Sequence, residues 1–260
     1  MSVPVFSAPV VLTESIGGVL VVTINRPEER NAINLAAAQA IGAAMDELDA
    51  DDQLTAGVIT GAGGTFCAGM DHKAFLAGER PSLSRQGFAG LVEQPPQKPL
   101  IAAVEGYALA GGFEIVLACD LIVAARDARF GLPEVRRGLV AAGGGLLRLG
   151  ERIPYHQAVE WALVGELVDA NQAASAGLIN RLVDSGTARD EAVRLGTRIA
   201  ENGPLAVRAT KQILTRSRDW TIADRFERQR ELTEPVRASD DAREGARAFT
   251  EKRPPRWLGH

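Results

Sequence analysis

LIAAVEGYALAGGFEIVLACDLIVA, residues 100–124, is the stretch on which the fold reading turns. Leu100 to Val104 is an apolar run of strand length, and Leu121 to Ala124 is another. Between them, Gly111 to Ala118 reads as a short apolar helix entered through a Gly-Gly pair. Two short apolar runs flanking a helix predict α/β architecture, and the same rhythm precedes them. Val19 to Ile24 reads as a strand and is broken by Asn25-Arg26-Pro27. Apolar residues at 35, 38, 41, 45 and 48 share one helical face, and Ala56 to Ile59 is a strand running into the glycine turn at 61–64. Beyond about residue 140 the chain reads as mainly helical, with segments near 144–150, 154–163, 170–177, 188–201, 205–217, 221–233 and 239–251. Residues 73–98, with Gly78, Pro81, Gly87, Gly90 and Pro95-Pro96, read as a loop with a short helix outside the core, placed to serve as a lid or pocket wall.

Composition narrows the function classes. The 260 residues are 46% apolar, enough for a sizeable core, and the 29 basic and 33 acidic side chains give a net charge of −4 without a basic stripe. Nucleic acid is therefore excluded as an expected partner. No apolar run reaches the roughly 20 residues of a membrane helix. The N-terminus lacks the charged start and small-residue cleavage site of a leader, so a cytoplasmic protein is expected. Cys67 and Cys119 are isolated in apolar contexts and read as buried structural thiols.

Three strings carry the chemistry: TFCAGMD (65–71), YALAGGFE (107–114) and FGLPE (130–134). A Gly-Gly pair at a helix start leaves backbone N–H groups without partners, at the positive end of the helix dipole. Gly111 and Gly112 fit that role, and Ala68 can supply a second N–H from the other loop. Two converging donors make an oxyanion hole, able to stabilise a thioester enolate. Taken alone, either turn reads as a close-packing device ahead of a ligand site, because glycine is common wherever helix meets strand. Glu114 lies in the first turn of its helix, where the dipole favours an ionised carboxylate suited to a base. Glu134 follows Pro133 among Phe130, Leu132, Val135 and Leu139, where burial would raise its pKa and suit an acid. On spacing alone each glutamate fits a solvated charge or a helix cap as well as a catalyst.

These strings, together with NRPEERNAI (25–33), IAAVEGYALAGGFEIVLACD (101–120) and EGARAFTEKRPPRW (244–257), resemble the enoyl-CoA hydratase (crotonase) family through almost the whole chain. The resemblance implies an α/β crotonase (ClpP-like) spiral of repeated β-β-α units. It places the core in residues 1–195 and a C-terminal helical trimerisation region in 196–260, giving a homotrimer or homohexamer. It implies Glu114 and Glu134 as the catalytic pair and the N–H groups of Ala68 and Gly111 as the oxyanion hole. Gly69, Met70, Asp71, Gly112 and Lys252 would bind substrate, with Lys252 on a CoA phosphate. An acyl-CoA thioester is the expected partner. No cofactor is implied, coenzyme A being part of the substrate, and no metal.

Both glutamates are present, as in members that hydrate trans-2-enoyl-CoA thioesters; isomerases and acyl-CoA sensors of the same fold often lack one or both. In place of a Pro-Gly-Ala-Gly-Gly run after the second glutamate stands Val140-Ala141-Ala142-Gly143-Gly144-Gly145. That stretch and the AFTEKRPPRW ending also resemble the carnitinyl-CoA dehydratase (crotonobetainyl-CoA hydratase) branch. His72 reads as a surface or packing residue. Gly61-Ala62-Gly63-Gly64 is not a dinucleotide fingerprint, because position 66 is Phe, and no G-x-S-x-G of a serine hydrolase occurs.

Overall fold

The computed structural model describes residues 8–260. The readings for the extreme N-terminus, residues 1–7, lie outside the described residues.

Six strands form the main sheet. β1 (Val11–Ile16) pairs antiparallel with β2 (Val19–Ile24), and parallel pairings then run through β3 (Ala56–Gly61), β6 (Leu100–Val104), β8 (Leu121–Ala125) and β11 (Arg181–Val183). The central strands are apolar on both faces because both are covered, as parallel sheets require. On β2, Leu20, Val22 and Ile24 point into the larger core, which includes Ile41, Met45 and Leu48 of α1 (Leu35–Ala50). The alternate residues Val19 and Val21 join Val58, Ile101, Ala103 and Val123 beneath Ala188 and Ala192 of α7 (Ala188–Ala200). α1 starts where Asn34 caps it by accepting from the Ala37 N–H at 2.9 Å.

The expected strands and helices of residues 19–125 are present, with helix Gly111–Ala118 (α3) and strand Leu100–Val104 at the expected bounds. Short strands escaped the sequence reading. β7 (Tyr107–Leu109), β9 (Arg129–Gly131) and β10 (Val168–Asp169) form a second, three-stranded sheet. β1 and β11 are likewise additional; within the mainly helical part beyond residue 140, β11 closes the edge of the main sheet beside β8. Strands of two or three residues leave no periodicity to read, and β1, though six residues long, is exposed along nearly its whole length and carries no sustained apolar run.

Residues 73–98 also depart from expectation. α2 (His72–Leu76) is the short helix, but after the hairpin of β4 (Ser82–Leu83) and β5 (Gly87–Phe88) the chain turns inward. Ala89, Leu91 and Val92 lie in the main core. Gly90, at φ +68°, sits where a β-carbon would come within 2.3 Å of the Ala38 carbonyl oxygen, so only glycine fits.

The later helices are α4 (Gly145–Arg152), α5 (Tyr155–Val164), α6 (Ala170–Ser175), α8 (Pro204–Arg216), α9 (Arg225–Ala238) and α10 (Asp240–Glu251). α9 runs through Pro235, past the end expected at 233, because a proline near a C-terminus costs only one intrahelical bond. α7 spans residue 195 and packs on the sheet, so the outer-face helix crosses the expected division of the chain. α8 is fastened to the core by Lys211, whose Nζ donates to Asp120 at 2.6 Å and to the carbonyls of Pro96 and Lys98 at 2.8 and 3.0 Å.

Candidate active site

The second sheet delivers the chain to α3. Ala110, between β7 and the helix, adopts φ +50°, a strained conformation for a residue with a β-carbon, held by its N–H donating to the Gly131 carbonyl at 2.9 Å. The helix then begins at Gly111 with no side-chain cap. A β-carbon on Gly112 would lie 2.2 Å from the Cys67 carbonyl oxygen, and one on Gly111 would lie 2.5 Å from the Phe88 ring. The glycine pair therefore lets a helix N-terminus press between two walls. All eight residues of α3 are buried, and among the described residues the Gly111 N–H has no acceptor. A buried, uncapped helix start is a ready site for an oxygen carrying negative charge.

The opposite wall is the 65–71 loop. Its backbone is committed almost completely: Cys67 N donates to Tyr107 O at 2.9 Å, Ala68 N to Arg30 O at 3.0 Å, and Asp71 N to Ile33 O at 2.9 Å. Gly69 N donates to Cys67 Sγ at 3.3 Å. Met70 alone in residues 67–71 keeps an N–H without an acceptor among the described residues. The expectation for Ala68 therefore needs correcting, since the Arg30 carbonyl already takes its N–H; the free donor lies two residues on. Gly69, at φ +101°, brings this loop so close to α3 that a β-carbon on it would lie 3.2 Å from Gly111 N.

Glu114, on α3, is 4% exposed. Its Oε1 accepts from Gly143 N at 2.7 Å and Gly145 N at 3.0 Å, so the carboxylate caps the start of α4. Burial pushes its pKa up and outweighs the two N–H groups and the nearby Arg148 guanidinium, which favour the charged form. The ionised state expected from its helix position is thus opposed by desolvation. Gly143 and Gly145 were missed as site residues, although the glycine run was visible; what they hold became evident only when α4 folded against α3.

Glu134 stands in the 3-10 helix Pro133–Arg137, ended by Gly138 in the left-handed conformation. Its Oε2 is buried with no hydrogen-bond partner among the described residues. Burial pushes its pKa up and outweighs its own N–H, which lowers it; the charge of Glu114 adds a further, smaller rise, and Arg137 opposes it least. The two carboxyls therefore share one electrostatic neighbourhood. Phe130 and Leu132 are buried beside it as expected, whereas Val135 and Leu139 are exposed.

Asp71 is engaged within the protein, its Oδ1 capping α2 at 2.9 Å from Lys73 N and its Oδ2 bonded to Arg26 at 2.8 Å. His72 is exposed, and Lys252 is exposed at the left-handed C-cap of α10. Cys67 and Cys119 are free, buried thiols that burial pushes up to about 12, too high for a nucleophile.

Residues 14–260 match the family described as Enoyl-CoA hydratase/isomerase. The chain belongs to that family. A crystal structure of enoyl-CoA hydratase EchA1 from Mycobacterium marinum superposes with a TM-score of 0.96 at 56% identity, covering 97% of this chain and 100% of that one. Among curated relatives, enoyl-CoA hydratase EchA19 of Mycobacterium tuberculosis is 39% identical over 96% of this chain and 97% of its own length. Carnitinyl-CoA dehydratase of Proteus mirabilis is also 39% identical, over 94% and 96%. The α/β architecture, with its parallel-rich sheet and C-terminal helices, is the fold of this enoyl-CoA hydratase/isomerase family.

Proposed function

We propose that this protein is an enoyl-CoA hydratase, a hydro-lyase that adds water across the 2,3 double bond of a trans-2-enoyl-CoA thioester. The observation that carries the reading is a buried Glu114 and a half-buried Glu134, both with raised pKa values and the second raised in part by the charge of the first, in a chain that also keeps two backbone N–H groups uncommitted, at Gly111 and Met70. The N–H groups of Met70 and Gly111 accept the thioester carbonyl oxygen and hold the enolate charge that develops on it. Glu114, with one oxygen fixed by two N–H groups, is the better anion and takes a proton from water as its oxygen attacks the β-carbon. Glu134, whose orphan oxygen favours the protonated form, gives its proton to the α-carbon. Proton exchange between the two carboxyls restores the starting state. The thioester carbonyl and the two donors carry the charge, so the reaction calls for no cofactor.

Glu114→Gln and Glu134→Gln should each lower turnover by roughly 10²- to 10⁴-fold, read from loss of the enoyl-thioester absorbance. With a saturated acyl-CoA bearing an acidic α-proton, exchange into deuterated solvent should slow more in Glu134→Gln than in Glu114→Gln. Equal slowing would reverse our division of roles, and near-normal hydration by both variants would end the mechanism. A panel of acyl-CoA thioesters that includes crotonobetainyl-CoA reads out the acyl preference, because the same two carboxyls serve either substrate.

The assembly we assign is a homotrimer or homohexamer built through residues after α7. Exposed apolar side chains on that part, Leu214, Ile222, Phe226 and Phe249, support it. The two buried free thiols suit a reducing compartment, and we assign the protein to the cytoplasm.

A further inference from the structure

The NRPEERNAI segment contributes no group to the chemistry above, yet its Arg26, Arg30, Asn31 and Ile33 are bonded to the loop that carries Met70. Asn31 is fully buried at φ +57°, and its Nδ2 donates to the carbonyls of Ala62 and Thr65, each at 2.8 Å. Its Oδ1 accepts from Arg26 N at 2.9 Å. Arg30 O accepts from Ala68 N, Ile33 N donates to Gly69 O at 2.8 Å, and Ile33 O accepts from Asp71 N. Met70 is thus flanked on both sides by residues tied to Ile33, while its own N–H stays free.

Arg26 closes this frame. One guanidinium nitrogen donates to the Ala32 carbonyl, and the other donates to Asp71 Oδ2 at 2.8 Å, with both side chains largely buried at 12% and 9% exposure. Asp71 in turn fixes the start of α2 through Lys73 N and Ala74 N. Burial pushes the Asp71 carboxyl up, but the Arg26 guanidinium and the two N–H groups outweigh it and hold the carboxyl below its usual range. A buried bidentate guanidinium between a carbonyl and a carboxylate leaves little angular freedom.

We propose that Arg26 and Asp71 are positioning residues that aim the Met70 N–H at the thioester oxygen. This rests on the hydratase reading above. The pair touches no substrate; it keeps the donor within the few tenths of an ångström over which a transition-state hydrogen bond retains its strength.

The test uses the full-length enzyme, Arg26→Met and Asp71→Asn. Asparagine keeps an oxygen for the α2 cap but loses the charge opposite Arg26, so it separates the ion pair from the helix cap. Two quantities are read: hydration of a short trans-2-enoyl-CoA, and the absorption of a bound aryl-enoyl-CoA, whose band moves to longer wavelength when its carbonyl is polarised. Circular dichroism melting confirms that each variant is folded at the assay temperature. Both variants should lose at least about tenfold in kcat with KM changed less than about threefold, and their bound chromophore should show a smaller red shift. Normal kcat, or a lowered kcat with an undiminished red shift, in the Asp71→Asn enzyme overturns the proposal. Wild-type enzyme that neither hydrates the thioester nor shifts the chromophore overturns the hydratase reading and this inference with it.

Discussion

A carboxylate oxygen buried without a partner, as in Glu134, lowers stability whenever the group is charged. Its folded pKa lies above the unfolded value, so between the two the native state binds more protons than the unfolded chain. Stability from this group is greatest below the unfolded value of about 4.3 and falls as pH rises through the folded pKa. Glutamine at 134 escapes that loss. The Glu134→Gln enzyme should melt at a higher temperature than wild type near pH 8, with the gap closing as pH is lowered toward 4.5. A pH series of thermal melts checks it; a gap that widened toward acid would mean the carboxyl is stabilised as an anion in the fold.

At the scale of elements, the site is a meeting of helix starts. α3 offers its free first N–H groups, and α4 spends its own on Glu114 through Gly143 and Gly145. A β-carbon on Gly145 would lie 2.8 Å from Glu114 Cγ, so a methyl group there must displace the glutamate. Gly145→Ala should therefore reduce turnover by roughly tenfold or more while the protein remains folded, since small misplacements of a catalytic group are costly. Steady-state hydration beside a thermal melt makes the check. Activity close to wild type would mean that α4 can shift without moving the carboxylate.

The whole molecule leaves large apolar groups in water along its last third. Phe249, on α10, is 88% exposed, and Leu214, Ile222 and Phe226 are exposed on the segments before it. Substituting Phe249 by Asp removes no contact from the single-chain core, so the fold should persist while assembly weakens. Light scattering at micromolar concentration should give a trimer or hexamer mass for wild type and a smaller mass for Phe249→Asp. A monomer mass for wild type would rule out the assembly.

Local chemistry made much of this protein readable from its residues. The apolar runs of β2, β3, β6 and β8 read as covered strands, the 35–48 periodicity read as α1, and Gly111-Gly112 marked a helix start open to a ligand. Two glutamates just after turns named the candidate acid and base. What the residues could not state were pairings between segments far apart in the chain. The Ala68 N–H read as a free donor until Arg30 folded against it, and the glycine run at 143–145 looked like a departure until it closed on Glu114. The raised pKa of Glu114 ran against its helix dipole because burial is a property of the assembled core. Propensity, periodicity and turn chemistry act within a few residues, so sequence determines them. Desolvation and the choice of hydrogen-bond partner depend on which surfaces meet, and only the tertiary structure decides that.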